Sequence, residues 1–377
     1  MADARASDDS DATKNPALKD TLFDAGRFQI VARETARLAP RFDAEKFLAI
    51  SLDGLARLSL MQRLRRMTEA LRATLPQDYR KALGILKKLA PKIGPGFVAL
   101  TWPDYVAQHG RGRCDFDVSM DALKFFTTFG SSEFAVREFL RRDLRRSLAV
   151  METWSRDTDE AVRRLASEGC RPRLPWSFRL EELVADPSPV APILENLRAD
   201  PSLYVRKSVG NHLNDITKDH PEWVLRRVGG WPLENPRTAW IVRRALRTLI
   251  KKGDRRALAV IGAGEKPRVR VGGFRVEPRE VRLGGRVAFS FRLESVARKE
   301  QRLVVDYAVH YVRKNGGTSA KVFKLKELAL AAGASVEITK SQRIQNFTTR
   351  AHHPGRHAID VLVNGERLAG GWFDLQK

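Results

Sequence analysis

The spacing of apolar residues changes once along the chain, between residues 264 and 267. Before this point, from residue 16 onward, apolar residues recur at helical spacing, and glycine and proline residues divide the region into segments of ordinary helix length. After it, β-branched residues alternate with polar ones, which is typical of strands. The pattern predicts a mainly α chain, with a helical domain over residues 16–266 and a small all-β domain over residues 267–377. Residues 1–15 are small, polar and acidic, and predict a flexible tail.

Residues 202–221 illustrate the helical half. Asp200-Pro201-Ser202 favours a helix start, and Pro221 cannot continue the helix. At roughly 100° per residue, the apolar residues of this segment fall on one stripe. Asp215 lies at the margin of the stripe, and the cations point further round. One helix thus combines a packing face, a carboxylate and several cations.

A short pattern, valine followed by two cations and then small residues, recurs in the helical half. Clear copies begin at Val162, Val205 and Val242, and residues 134–137 resemble an earlier, degenerate copy. The copies lie about 40 residues apart, close to the period of HEAT-like helical pairs. Each such pair buries its apolar face by stacking on its neighbours, and a cation at the same place in successive pairs lines one concave face. The pattern predicts an α-solenoid of HEAT-like repeats with a basic concave face.

The β domain contains about seven segments with strand character, the number found in small immunoglobulin-like sandwiches. These segments are residues 268–271, 286–293, 303–312, 321–326, 336–339, 359–363 and 366–368. Asn364-Gly365, between the last two, is a strong signal for a two-residue hairpin turn. The domain is therefore predicted to be an immunoglobulin-like sandwich.

The net charge of the chain indicates which class of partner it binds. Lysine and arginine number 68 against 45 aspartate and glutamate residues, which gives a net charge of +23. A surplus of this size points to a polyanion, and nucleic acid is the commonest soluble one. A basic surface that serves only solubility is the alternative. Both domains carry the surplus, as expected if both touch the same polyanion.

Several other classes of protein do not fit the sequence. The only cysteines are Cys114 and Cys170, so neither a disulfide framework nor a zinc cluster is available. No apolar run approaches the roughly 20 residues that span a membrane, and the amino terminus is unlike a signal peptide, so we expect a cytoplasmic protein. No phosphate-cradling glycine loop or Ser-His-Asp arrangement stands out, and no metal or organic cofactor is implied.

Three motifs stand in order in the helical half. They are SSEFAVR at residues 131–137, ASEGCRPRLPW at residues 166–176 and SVGNHLND at residues 208–215. Together they resemble the AlkC branch of the HEAT-like DNA alkylation repair glycosylases, relatives of the AlkD branch. The resemblance is densest from Phe125 to Arg247, and some members of the branch carry an immunoglobulin-like domain at the carboxyl end.

The resemblance implies a monofunctional DNA glycosylase that acts on alkylated bases in double-stranded DNA. Its substrates would be cationic N-alkylated bases of the 3-methyladenine and 3-methylcytosine class, attacked without flipping of the base into a pocket. It also implies that Glu133 and Asp215 are the catalytic carboxylates and that Trp176 is the aromatic wall near the lesion. We expect a monomer that is associated with the nucleoid when it is bound to DNA.

The chemistry of these side chains fits the implied reaction. Breaking an N-glycosidic bond builds oxocarbenium character on the sugar, which a nearby carboxylate stabilises. An indole beside a cationic base adds a cation–π interaction of roughly 0.5–2 kcal/mol. Polar and cationic side chains would hold the duplex through its phosphates. The predicted DNA-binding residues are Arg163, Arg164, Arg171, Arg173, Arg206, Lys207, Asn211, Lys218, Arg243 and Arg244.

Each of these side chains also has a purely structural interpretation. Glu133 stands at a helix start, where the helix dipole favours an acid, and Asp215 would pair with Lys218 or with an arginine of a neighbouring repeat. Trp176 would plug a gap between repeats, whereas Trp154 and Trp240 stand at apolar helix positions and are expected in the core. Arg171 and Arg173 flank a proline in an exposed-looking connector, where a solvated role and a phosphate contact both stay open.

Two other classes of function compete with the enzyme. One is a HEAT-like protein that binds DNA structure without catalysis, since function resides in the site rather than in the fold. The other is a helical-repeat protein scaffold, for which an apolar or acidic groove would be expected and against which the arginine excess argues. For the β domain, DNA contact and protein docking both stay open.

Overall fold

The computed structural model describes residues 18–347 and 351–376. The chain forms two compact units, which divide between Leu197 and Arg198. The described part of the first unit contains helices and short 3-10 turns, without strands. Its α-helices are α1 (Leu18–Leu22), α2 (Ala25–Leu38), α3 (Ala44–Leu52), α4 (Leu60–Thr74), α5 (Tyr79–Ile93), α6 (Thr101–His109), α7 (Phe116–Phe126), α8 (Val136–Arg142), α9 (Leu144–Trp154), α10 (Glu160–Glu168), α11 (Glu181–Ala185) and α12 (Ala191–Asn196).

The second unit joins further helices to all the strands of the described chain. Its helices are α13 (Leu203–Ile216), α14 (Pro221–Gly229), α15 (Pro236–Lys251) and α16 (Arg255–Val260). Its strands are β1 (Val269–Glu277), β2 (Glu280–Arg282), β3 (Arg286–Ser295), β4 (Gln301–Val312), β5 (Thr318–Leu330), β6 (Ser335–Arg343), β7 (Gly355–Val363) and β8 (Glu366–Gln376).

Local signals set the ends of α13. Ser202 precedes the helix, and its Oγ accepts a hydrogen bond from the backbone N–H of Tyr204 at 3.2 Å. The predicted start is therefore confirmed. The helix ends at Ile216, about one turn earlier than predicted, because the residue before a proline avoids helical dihedral angles and Pro221 already begins α14.

The strands form a β-sandwich of two sheets. The strand order is β1-β3-β6 in one sheet and β2-β8-β7-β4-β5 in the other. Alternate residues from Val287 to Leu293 on β3 and from Leu303 to Tyr311 on β4 are buried in a shared core, as the two-residue period of a strand requires. The prediction of a mainly α chain that ends in a β-sandwich is confirmed.

The turn between β7 and β8 follows the predicted hairpin signal. Asn364 and Gly365 have φ values of +46° and +80°, the left-handed conformation that a two-residue hairpin turn requires. Strand β2 lies outside the predicted segments. It has only three residues and pairs in parallel with β8, so it is too short to show alternation in the sequence.

Helices and sandwich pack directly on each other within the second unit. Arg243 of α15 lies 3.3 Å from Glu327 of β5, and Arg255 of α16 lies 2.9 Å from Glu366 of β8. The predicted domain boundary at residues 266–267 falls between the last helix and the first strand, whereas the compact units divide earlier, after Leu197. The domain boundary stays a prediction.

Candidate functional site

Glu133 lies in the turn that opens α8. The backbone of this turn is already helical, since the N–H of Val136 donates to the carbonyl of Ser132 at 3.0 Å. Ser132 is buried, and its Oγ donates to the carbonyl of Leu123 at 2.8 Å, which ties the turn to the end of α7. The carboxylate of Glu133 therefore projects from a fixed backbone and is only 15% exposed.

Two side chains hold the Glu133 carboxylate. Arg164 of α10 forms an ion pair with Glu133 Oε2, and its Nη1 also donates to Ser131 Oγ at 2.8 Å. Ser131 Oγ in turn donates to Glu133 Oε2 at 2.8 Å. The structural interpretation of Glu133 was an interaction with the helix dipole. The structure adds a direct contact between Glu133 and a cation from another helix.

The ion pair continues into a row of alternating charges. Arg164 Nη2 lies 3.6 Å from Glu168 Oε1, and Arg171 Nη1 donates to the same oxygen at 2.5 Å. Arg171 is 7% exposed, so the expectation of an exposed connector is wrong at this position. Sequence reasoning did not select Glu168. Its spacing, four residues after Arg164 and three before Arg171, was the available signal.

Trp176 stands in the connector from α10 to α11 and is 73% exposed. Its φ is +65°, a conformation that residues with a side chain seldom adopt and that persists only when the surroundings impose it. An exposed ring does not plug a gap, so that structural interpretation of Trp176 is wrong. The tryptophan is displayed on the surface of the first unit.

A buried arginine anchors the connector that carries Trp176. Arg137 of α8 is fully buried, and its Nη1 donates to the carbonyls of Gly169 at 3.0 Å and Arg171 at 2.6 Å. Its Nη2 donates to the carbonyl of Phe178 at 2.5 Å. Both ends of the connector are therefore fixed by one guanidinium, which explains how a strained exposed residue is kept in place.

A cleft of about 210 Å³ lies beside Trp176. Its wall includes Phe134 and Ser131 from the turn that carries Glu133, together with Asp104. Burial raises the pKa of Asp104, although Thr68 Oγ1 donates to its carboxylate at 2.6 Å. The cleft thus brings the exposed indole and the turn of Glu133 to one place.

Asp215 belongs to the second unit and lies near the end of α13. Its side chain is 7% exposed, and Lys218 Nζ donates to Asp215 Oδ1 at 3.1 Å. The predicted pairing of these two residues, three positions apart on the chain, is confirmed. A catalytic role for Asp215 stays a prediction.

The first arginine of each repeat copy is engaged by protein groups. Arg163 Nη1 donates to the carbonyls of Asp157 and Thr158, both at 2.9 Å. Arg206 Nη1 donates in the same way to the carbonyls of Asp200 and Pro201, at 2.8 and 2.7 Å. Equivalent positions in two repeats therefore brace the turn before their own helix, and DNA contact by these arginines stays a prediction.

The remaining predicted DNA-binding residues differ in exposure. Lys207 is exposed on α13, while Arg173 is half-buried in the connector. On α15, Arg244 Nε donates to Asn211 Oδ1 at 3.1 Å, and its guanidinium carbon lies 5.5 Å from the ring centroid of Trp240. Trp240 is half-buried against cations rather than in the core as predicted, whereas Trp154 is buried as predicted.

Neither a metal cluster nor a membrane helix is found in the part of the chain that the structure describes. Across residues 18–347 and 351–376, no three His, Cys, Asp or Glu side chains are grouped to hold a metal ion. The helices within these ranges are all too short or too polar to cross a bilayer.

The helical part and the β part of the chain each match a known protein family. The profile of the family described as "DNA alkylation repair enzyme" matches residues 122–249, and that of the C-terminal Ig-like domain of YhaZ matches residues 270–377. The uncharacterized protein YhaZ of Bacillus subtilis is 41% identical over 328 residues, which cover 87% of this chain and 90% of that protein.

A solved structure extends the likeness to three dimensions. The alkylpurine DNA glycosylase AlkC of Pseudomonas fluorescens, bound to DNA containing an abasic site analog, is 56% identical with a TM-score of 0.92, over 96% of this chain and 100% of that one. This chain belongs to the AlkC family. Membership in the AlkC family confirms the resemblance and the fold class that the motifs predicted, including the immunoglobulin-like domain.

Proposed function

We propose that the protein is a monofunctional DNA glycosylase that hydrolyses the N-glycosidic bond of cationic N-alkylated bases, of the 3-methyladenine and 3-methylcytosine class, in double-stranded DNA. The observation that carries the proposal is the pairing, at one cleft, of an exposed anchored indole with the turn that holds the Glu133 carboxylate. The Pseudomonas fluorescens relative, an alkylpurine DNA glycosylase, supports it.

The proposed chemistry uses carboxylates and water. As the bond to the base lengthens, positive charge develops on the deoxyribose, and one carboxylate stabilises it while the other orients the attacking water. Glu133 and Asp215 take these two roles. The alkylated base leaves as a neutral molecule because it already carries its positive charge, so no general acid is required.

The aromatic wall would act on the same charge. The Trp176 ring, which is largely exposed, offers a π face to a cationic base or sugar, an interaction of about 0.5–2 kcal/mol. Since the ring stands on the surface rather than inside a deep pocket, it can meet a base that stays within the duplex. This supports excision without base flipping, in contrast to most enzymes that act on bases.

The proposal includes DNA binding by both domains. The exposed Lys207 and the cations of α15 would neutralise phosphates, and the basic β domain would add further contacts. Binding as a monomer is part of the proposal. Docking of a protein partner on the β domain is the competing role.

A second candidate function is supported by the contacts of Glu133 themselves. A carboxylate that is paired with Arg164 and hydrogen-bonded to Ser131 is also what a purely structural role would require. In that case the chain binds DNA structure without cutting a bond.

Base release from methylated duplex DNA separates the two functions. We expect the wild type to release 3-methyladenine or 3-methylcytosine, and Glu133→Gln and Asp215→Asn each to lower the single-turnover rate by about 10²–10³-fold, as loss of a transition-state charge contact does. DNA affinity should change little in both variants. A wild type that binds DNA and releases neither base would instead establish the binding module.

A further inference from the structure

We propose that Arg164 is a positioning residue that sets the place of the Glu133 carboxylate, instead of one of the phosphate contacts that the sequence predicts. The inference rests on the proposed function, because Glu133 has a reaction to serve only in a glycosylase. In this role, Arg164 affects the reaction by orienting Glu133 and does not contact DNA.

Protein acceptors surround the guanidinium of Arg164. Nη1 contacts both Glu133 Oε2 and Ser131 Oγ, and Nη2 faces Glu168. The side chains of Arg164 and Glu133 are 14% and 15% exposed. Salt screens a pair at this burial weakly, and loss of Arg164 leaves the Glu133 carboxylate without its cation. A DNA phosphate would have to displace two carboxylates to gain this arginine.

The contacts leave the two oxygens of Glu133 unequal. Within residues 18–347 and 351–376, every hydrogen bond to the carboxylate ends on Oε2, where Arg164 and Ser131 Oγ both donate. The backbone N–H of Glu133 donates to Ser131 Oγ at 3.2 Å, which closes the ring of contacts. Arg164 and Ser131 therefore fix Oε2, and Oε1 is the oxygen that serves the sugar or the water.

A further layer of side chains fixes Arg164 in turn. Glu168 is 8% exposed and lies between Arg164 and Arg171, so the guanidinium of Arg164 has a carboxylate on each side. The carbonyl of Arg171 accepts a hydrogen bond from Arg137, the residue that anchors the connector of Trp176. One row of polar contacts thus links the predicted catalytic carboxylate to the segment that carries the aromatic wall.

A double-mutant cycle distinguishes positioning from phosphate binding. In single-turnover base release, we expect Arg164→Ala to lower the rate by about 10²-fold in the wild-type background and by less than about threefold in the Glu133→Gln background, because residues that act as a unit are not additive. Arg164→Lys keeps the charge without the planar fork and should lose about tenfold. It also tests the inference should Arg164→Ala fail to fold.

DNA binding supplies the second readout. Removing one phosphate contact lowers the slope of log K against log salt by about 0.9, whereas a positioning residue leaves the slope unchanged. Added guanidinium ion should restore part of the rate in Arg164→Ala and none in Glu133→Gln. The matched control is Arg37→Ala, which removes the same charge from a 66% exposed side chain paired with Glu34 on α2 and should change neither rate nor slope.

The outcomes separate this inference from the proposed function. If the wild type releases no base, the proposed function fails and the positioning role fails with it. If the wild type is active but the losses from Arg164→Ala and Glu133→Gln add, and the salt slope falls, then Arg164 binds phosphate and only the present inference is overturned. Non-additive losses with an unchanged slope support it.

Discussion

The ion pairs of the two predicted catalytic carboxylates form in different ways. Glu133 accepts hydrogen bonds from Ser131, two residues away, and from Arg164, which lies 31 residues along the chain on another helix. Asp215 is paired with Lys218, three residues further along the chain. The geometry of helical spacing alone dictates the second pair, whereas the first exists only once the helices have packed. A carboxylate that must keep one orientation is better served by a pair of the Glu133–Arg164 kind, which forms only in the folded protein.

The support around Glu133 extends to the connector of Trp176 through Arg137, and its removal should have the largest effect. Arg137→Met leaves three carbonyls without their donor in a buried site, which should cost about 3–5 kcal/mol of unfolding free energy. Arg206→Met is the control, because Arg206 serves two carbonyls at the same place in a later repeat while half-buried; about 1 kcal/mol is expected there. Urea unfolding measures both. Equal losses of unfolding free energy in the two variants would contradict a larger stabilising role for Arg137.

A third carboxylate, that of Asp306 in the second unit, forms no ion pair within residues 18–347 and 351–376. Asp306 of β4 is 5% exposed, and burial raises its pKa to about 6, against the weaker opposing effects of Lys251 and Lys324. The folded state therefore binds a proton that the unfolded state has released between the ordinary value of 3.8 and about 6. Stability falls as the pH rises through this window, by an amount on the order of 2–3 kcal/mol.

Asp306→Asn should remove that pH dependence. The variant is expected to be more stable than the wild type at pH 7.5 and to show a flatter stability profile between pH 4 and pH 7. Thermal unfolding at several pH values measures the difference, with Asp374→Asn as the control, since its pKa is lowered by Arg356 and its loss should destabilise at neutral pH. A wild type whose stability rises through the window would show that Asp306 is compensated after all.

The sequence was a good guide wherever local chemistry decides the structure. The start of α13 at Ser202 and the hairpin at Asn364-Gly365 depend on the residues at those positions, and both follow the prediction. The three ordered motifs identified the family for the same reason, because each motif consists of residues that are close together in the sequence. The alternation of strands likewise predicted the β-sandwich, with only the three-residue β2 outside it.

The spacing of residues along the sequence did not predict the contacts between helices. The repeated arginines looked alike in sequence, yet Arg163 folds back on its own turn while Arg164 turns to Glu133, since neighbouring positions on a helix point about 100° apart. Arg171 is buried because Glu168 and the connector enclose it. An arginine next to a proline in the sequence gives no sign of this burial. The left-handed φ of Trp176 is imposed by the anchored connector and leaves no signal in the sequence.

The smallest effect should come from breaking the Asp215–Lys218 ion pair. Lys218→Ala removes a side chain that is 50% exposed, and such half-solvated pairs contribute about 0.5–1 kcal/mol. Lys207→Ala, an exposed cation on the same helix, should change stability by less than about 0.5 kcal/mol. Denaturant unfolding of both variants measures the pair. A loss of about 3 kcal/mol or more in Lys218→Ala would mean that Asp215 depends on its lysine as a buried charge depends on its partner, and the contrast with Glu133 would then disappear.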